Sequence, residues 1–182
     1  MNKKNSSQLN HIREKPVFIC GHPKSGTSLL RSMLDNHPEL IVYPEETYFF
    51  RKFLPMSEGS TLKEQLALAE EHLIHIFKWN VSDPPADQAG YPDRDYQRTI
   101  SFDEVCRYMK ALADEKLDHS GDVLSAAILA YGNAAGTGAD SKKWWVEKST
   151  YNELFFSQMI KWWPNARFIH VVRDPRDNYA SY

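Results

Sequence analysis

The sequence predicts an α/β domain built on a mainly parallel β-sheet flanked by helices, and three observations carry that prediction. Short apolar runs alternate along the chain with segments of helical periodicity. The first run, Pro16-Val17-Phe18-Ile19-Cys20, is apolar throughout, as expected of a strand buried on both faces in a parallel sheet. The 182 residues are 42% hydrophobic and 25% charged, one domain's worth of material with enough apolar content for a core. The 22 Lys+Arg against 24 Asp+Glu leave a net charge of -2. A chain without a global positive field has nothing to hold nucleic acid or an acidic membrane surface, so neither partner is expected and any anion site is local.

Residues 1 to 14 read as a flexible arm and 15 to 182 as the domain. Gly21 stops the first strand, and Thr27 to Asn36 carries Leu29, Leu30, Met33 and Leu34 at helical spacing until His37-Pro38 closes the helix. Leu40 to Tyr43 is a second strand. Residues 61 to 79 place Leu62, Leu66, Leu73, Ile76 and Phe77 on one helical face, and 80 to 98, rich in proline and aspartate, is a long irregular connection. Ser101-Phe102-Asp103-Glu104 is a capping box, followed by the stripe Phe102, Val105, Cys106, Met109, Leu112 and Ala113. Gly132 to Asp140 is small and reads as flexible. Trp144-Trp145-Val146-Glu147 is another strand, followed by a helix bearing Phe155, Phe156, Met159, Ile160 and Trp163 and ended by Pro164-Asn165. Ala166 to Val172 is the last strand, and Asp174-Pro175 opens a helix with proline at its first position. That helix is barely two turns long at Tyr182, from which we expect the front part of a longer domain, incomplete at its C-terminus.

Cys20 and Cys106 form neither a disulfide framework nor a metal-ligand spacing, and read as buried thiols of a reducing compartment. The N-terminus is polar and no run of roughly 18 apolar residues occurs, so neither a signal peptide nor a membrane span is expected and a cytoplasmic location is the default. His72 and His75 lack a third ligand, and no metal is expected. Trp144, Trp145, Trp162 and Trp163 could stack an adenine, but aromatic residues beside buried strands are more often core, and they are left out of the site.

Gly21-His22-Pro23-Lys24-Ser25-Gly26-Thr27-Ser28 lies between a buried strand and an amphipathic helix, where backbone N–H groups and a helix N-terminus cradle phosphate. Against the nucleotide-binding pattern G-x-x-x-x-G-K-[ST], both glycines and the final hydroxyl are in place, but Thr27 stands at the lysine position and the cation has moved to Lys24. The loop is therefore P-loop-like. Loss of the lysine that reaches β- and γ-phosphates argues for a ligand with one phosphate at this end.

Pro23-Lys24-Ser25-Gly26-Thr27-Ser28-Leu29-Leu30 resembles the 5'-phosphosulfate loop of sulfotransferases, P-[RK]-S-G-T-[ST]-L-L. These enzymes use 3'-phosphoadenosine-5'-phosphosulfate (PAPS), and the resemblance implies that Lys24, Ser25, Gly26, Thr27 and Ser28 hold the 5'-phosphate and sulfuryl oxygens. His22 is given no role. A separate 3'-phosphate needs a second cation and hydroxyl at another strand end. Arg173 ends the last strand with Ser181 eight residues on, which looks like the family's 3'-phosphate motif. The alternative is that Arg173 or Arg176 pairs with Asp174 or Asp177 around a helix start.

Sulfuryl transfer also needs a base for the acceptor and positive charge on the leaving oxygen. Pro44-Glu45-Glu46-Thr47 is similar to the E-E-T segment of the tyrosylprotein branch, which implies Glu46 as the base, with Glu45 an alternative. A pocket-lining Glu46 is expected to have a raised pKa. Glu147-Lys148-Ser149-Thr150 is similar to [EN]-K-[TD]-P, with Thr150 in place of proline, and implies that Lys148 and Lys24 neutralise the leaving group. The resemblance covers 16 to 47 and 144 to 182; the stretch between is expected to shape the acceptor pocket. The implied function is in-line sulfuryl transfer from PAPS to a hydroxyl or amine of a small molecule, glycan, lipid or peptide, without a metal. The rivals are a P-loop nucleotide kinase or NTPase, which shares the strand-loop-helix, and a non-catalytic nucleotide-binding fragment.

Overall fold

In the computed structural model, which describes residues 12–78, 100–114, 117–136 and 141–180, Pro16–Cys20 forms β1 near the middle of a four-stranded sheet. β2 is Leu40–Val42, β3 Trp144–Lys148 and β4 Arg167–His170, in the spatial order β2-β3-β1-β4. All three pairings are parallel, with Val17 opposite Val146 on one side and Arg167 on the other. Every residue of β1 is buried, as its unbroken apolar run requires.

The two faces follow from strand alternation. Val17, Ile19, Val42 and Val146 point to one side, where Leu30 and Leu34 of helix α1 (Thr27–Leu34) pack on them. Phe18, Cys20, Ile41 and Trp145 point to the other, into the larger core. There Phe18, Trp145 and Trp163 meet with ring centroids 5.4–5.6 Å apart. Trp145 and Trp163 are fully buried, so these tryptophans are core, as the sequence reading favoured.

Helices build this second layer. α2 (Leu62–His72) starts at a capping box in which Thr61 and Glu64 exchange hydrogen bonds. It ends at His72, and a 3-10 turn, His75–Lys78, continues the apolar face. α3 (Phe102–Ala113) is capped by Ser101, whose hydroxyl accepts from the Glu104 N–H, and buries Val105, Cys106, Met109 and Leu112. α4 (Ser120–Ala134) is buried continuously from Gly121 to Gly132. A helix that is apolar all round shows no stripe, and periodicity therefore gave no element there. Gly132, Asn133 and Ala134 are helix rather than the start of a flexible stretch. α5 (Phe156–Trp162) follows β3, and α6 (Pro175–Tyr179) is N-capped by Asp174.

Other boundaries shift for local reasons. The first helix ends at Leu34, since Asn36 adopts a left-handed φ of 60°. The last strand is four residues long, pairs among the described residues with β1 alone, and is largely exposed. Ile12 and Arg13 are buried, Arg13 donating to the Leu112 carbonyl at 2.7 Å, so the packed unit starts ahead of residue 15. The connection read over 80 to 98 lies outside the described residues. Among the described residues no helix is long and apolar enough to cross a membrane. Cys20 and Cys106 are free and buried, and burial pushes the Cys20 thiol up to about 12.

Gly21 joins β1 to the loop with φ 147°, and a Cβ there would stand 2.6 Å from the Val171 carbonyl oxygen. That backbone, just past the end of β4 and bonded through the Val171 N–H to the Cys20 carbonyl, cannot swing aside. Gly21→Ala is expected to cost about 2 kcal/mol or more, read as a lower denaturation midpoint at unchanged m-value.

Candidate active site

The C-terminal ends of all four strands open onto one edge of the sheet, where parallel α/β domains collect their ligands. β1 leads into residues 21 to 26, β2 into Pro44–Thr47, β3 into Ser149–Thr150 and β4 into Arg173. Every site residue expected from the sequence and described in the structure lies on this edge. Ser181 lies outside the described residues.

Lys24 and Gly26 turn the loop with φ of 67° and 101°. Ser25 tightens it, its N–H and hydroxyl both donating to the His22 carbonyl, at 3.2 and 2.6 Å. Gly26 is the N-cap of α1, which has neither a side-chain cap nor an acidic residue in its first turn. The positive end of the helix is thus not offset locally, which suits an anion. Lys24, Gly26 and Ser28 are exposed, whereas Thr27 is buried.

Arg173 comes over from β4, and its Nη1 donates to the Lys24 carbonyl at 3.1 Å. The expected alternative, pairing with a neighbouring aspartate, applies instead to Arg176, which makes two side-chain hydrogen bonds to Asp174 at 3.0 and 2.7 Å. A cleft of about 390 Å³ lies here, lined among others by His22, Ser25, His170, Arg173 and Asn178.

Lys148 stands at the centre of the edge. It is 2% exposed, and its ammonium donates to Ser28 Oγ at 3.0 Å and to Glu46 Oε1. Glu46 Oε2 in turn accepts from the backbone N–H and the hydroxyl of Thr150, at 3.2 and 3.1 Å. Burial alone would push the Glu46 carboxyl up, but the Lys148 ammonium and the Thr150 donors outweigh it and hold the carboxyl below its ordinary value. The expectation of a raised pKa is therefore corrected: the Glu46 pocket contains a cation. Of the two adjacent carboxylates, Glu46 is the one that meets Lys148.

Below this pair lies a network that the motifs did not disclose. Glu147 is fully buried, and its carboxylate accepts from Thr47 Oγ1 at 2.8 Å, from Ser149 Oγ, and from Asn152 Nδ2 at 2.6 Å. Burial raises its pKa despite these donors. Ser149 Oγ also accepts from the Tyr48 N–H at 3.0 Å. The segment carrying Glu46 is thereby fastened to the strand end carrying Lys148. Beyond it a π-helical turn, Phe49–Phe53, buries three phenylalanines as an anchor. Tyr48, pushed up to about 12 by burial and the neighbouring Glu46, lies under the Arg51 guanidinium at 5.2 Å. The signal for the network was present as the hydroxyls of E-E-T and K-S-T, but only the fold brings segments 100 residues apart together.

The sequence pattern described as "Sulfotransferase family" matches residues 16–182. Protein-tyrosine sulfotransferase 1 of Rattus norvegicus and that of Homo sapiens are each 27% identical over 180 residues, 98% of this chain and 36% of theirs. Protein-tyrosine sulfotransferase 2 of Gallus gallus is 41% identical over 56 residues, 30% of this chain and 15% of its own. No solved structure matches. The chain spans about a third of the length of the first two relatives. With a parallel sheet, a glycine loop opening α1 and a lysine joining that loop to a carboxylate, and with the family pattern running from β1 to the last residue, the chain belongs to the sulfotransferase family.

Proposed function

We propose that this chain binds PAPS across the loop and Arg173 and transfers its sulfuryl group to an acceptor hydroxyl. The observation that carries the reading is the position of Lys148, one ammonium bonded both to the helix that the phosphate loop opens and to the carboxylate proposed as base. When bound, PAPS supplies an activated sulfuryl group on a 5'-phosphate. Lys24, Ser25, Gly26, Thr27 and Ser28 fit the 5' end, because the α1 N-terminus is not offset there and two left-handed residues bend the backbone around it. Arg173 fits the 3'-phosphate, its fork reaching the same cleft as Ser25, with Ser181 as the proposed hydroxyl partner.

The chemistry assigned to the residues is a single in-line displacement. Glu46 takes the proton of the acceptor hydroxyl. Lys148 has three N–H donors, of which Glu46 and Ser28 occupy two, and the third is available to the oxygen left on the 5'-phosphate. Lys24 adds charge from the other side. As Lys148 turns toward that oxygen its hold on Glu46 loosens, and burial then drives the carboxyl upward, making it a stronger base at the moment it is needed. The relatives are named for protein tyrosine as their acceptor, which favours a phenolic hydroxyl on a peptide here. A cytoplasmic location belongs to this proposal, supported by the two free buried thiols.

Adenosine 3',5'-bisphosphate without metal is expected to raise the melting temperature more than ATP with magnesium, and Arg173→Ala and Lys24→Ala are each expected to weaken that nucleotide about tenfold or more by calorimetry. Preference for magnesium-ATP would point to a kinase or NTPase. With labelled PAPS and a tyrosine peptide, Glu46→Gln is expected to lower transfer by about a hundredfold or more while nucleotide binding persists.

Stability supplies a further check. Because the Glu46 carboxyl is lowered in the folded protein, its contribution is complete above the ordinary carboxylate range and lost as the pH falls below it. Acid denaturation of Glu46→Gln, followed by circular dichroism, is expected to show a shallower decline over that range than the wild type.

A further inference from the structure

Lys24 adopts a left-handed backbone conformation, φ 67°, that side-chain-bearing residues rarely hold unless their surroundings impose it. Arg173 supplies one constraint through the Lys24 carbonyl. A second comes from Asn178, which is buried on α6 at 8% exposure. With its amide oxygen accepting from Nδ1–H of His22 at 3.1 Å, its nitrogen donates to the carbonyls of Pro23 at 2.9 Å and Lys24 at 3.3 Å. That orientation fixes the His22 tautomer and leaves Nε2 as acceptor for the Tyr151 hydroxyl, 3.3 Å away. The two rings meet edge-on at 5.4 Å. Tyr151 follows Thr150, the residue that holds Glu46.

We propose that Asn178 is a positioning residue for the sulfuryl donor, clamping the Pro23-Lys24 turn to α6 and so setting the loop for the 5'-phosphate, with His22 and Tyr151 orienting its amide. The inference rests on the donor site proposed above. α6 does not need this side chain: the helix is capped by Asp174, and the Asn178 N–H bonds the Asp174 carbonyl. The amide instead spends both donors on the loop, which no motif carried by Arg173 and Ser181 requires. The clamp also runs from the donor loop through His22 to the strand end beside the base, so a change at Asn178 acts on the 5' end of the nucleotide and not on the 3' end.

The test uses the intact chain, with adenosine 3',5'-bisphosphate, AMP and 3'-AMP as probes in calorimetry and phosphorus NMR. Asn178→Leu is expected to weaken the bisphosphate and AMP about tenfold while 3'-AMP changes less than about twofold, and to shift the bound 5'-phosphate resonance but not the 3' one. If Asn178→Leu does not fold, exposed His22→Phe, which keeps a ring against Tyr151 but removes the donor that orients the amide, is expected to show the same 5'-selective pattern at smaller size. Parallel weakening of all three ligands, or of none, would overturn the proposal while leaving the donor site standing. A wild-type chain that does not bind the bisphosphate would overturn both.

Discussion

A buried ammonium needs partners, and in this molecule the partners of Lys148 decide where three segments of chain meet. At 2% exposure the lysine cannot retain a full shell of water, and it is satisfied by Ser28 at the start of α1 and by Glu46 beyond β2. Those two residues lie on segments that follow different strands, β1 and β2, and β3, which carries the lysine, runs beside both of those strands. The strand order is thus what allows one cation to touch the phosphate loop and the carboxylate together. Moving Lys148 by one position along β3 would turn it to the opposite face of the sheet.

The same constraint explains a departure from the family's usual segment. Where proline would follow the K-[TD] pair, this chain has Thr150, and its backbone N–H and hydroxyl both reach Glu46. Proline has no N–H to give. The Lys148 ammonium and both Thr150 donors thus hold Glu46, and the carboxyl lies below its ordinary value despite burial. Glu147 works from beneath, fastening Thr47, Ser149 and Asn152 so that the pair above has fixed walls.

The parallel α/β architecture and the loop were legible because each is a local pattern: an unbroken apolar run, a glycine turn, a helical stripe. Lys24, Glu46, Lys148 and Arg173 could be singled out because short motifs carry them, and the fold brings them to one edge. The pKa of Glu46 was read in the wrong direction because its cation lies 102 positions away in sequence, and no local pattern contains that distance. α4 was missed because a helix buried all round has no polar face to mark its period. Asn178 and His22 carried no signal, since an asparagine amide is informative only once its two carbonyl partners are known.

The most direct measurement is a crystal structure of the chain soaked with adenosine 3',5'-bisphosphate. The account requires a single nucleotide on the strand-end edge, one phosphate seated on the turn from Lys24 to Ser28 and the other on the Arg173 guanidinium, with Lys148 in reach of the first. A nucleotide bound elsewhere, or one whose second phosphate points into solvent away from Arg173, would contradict it.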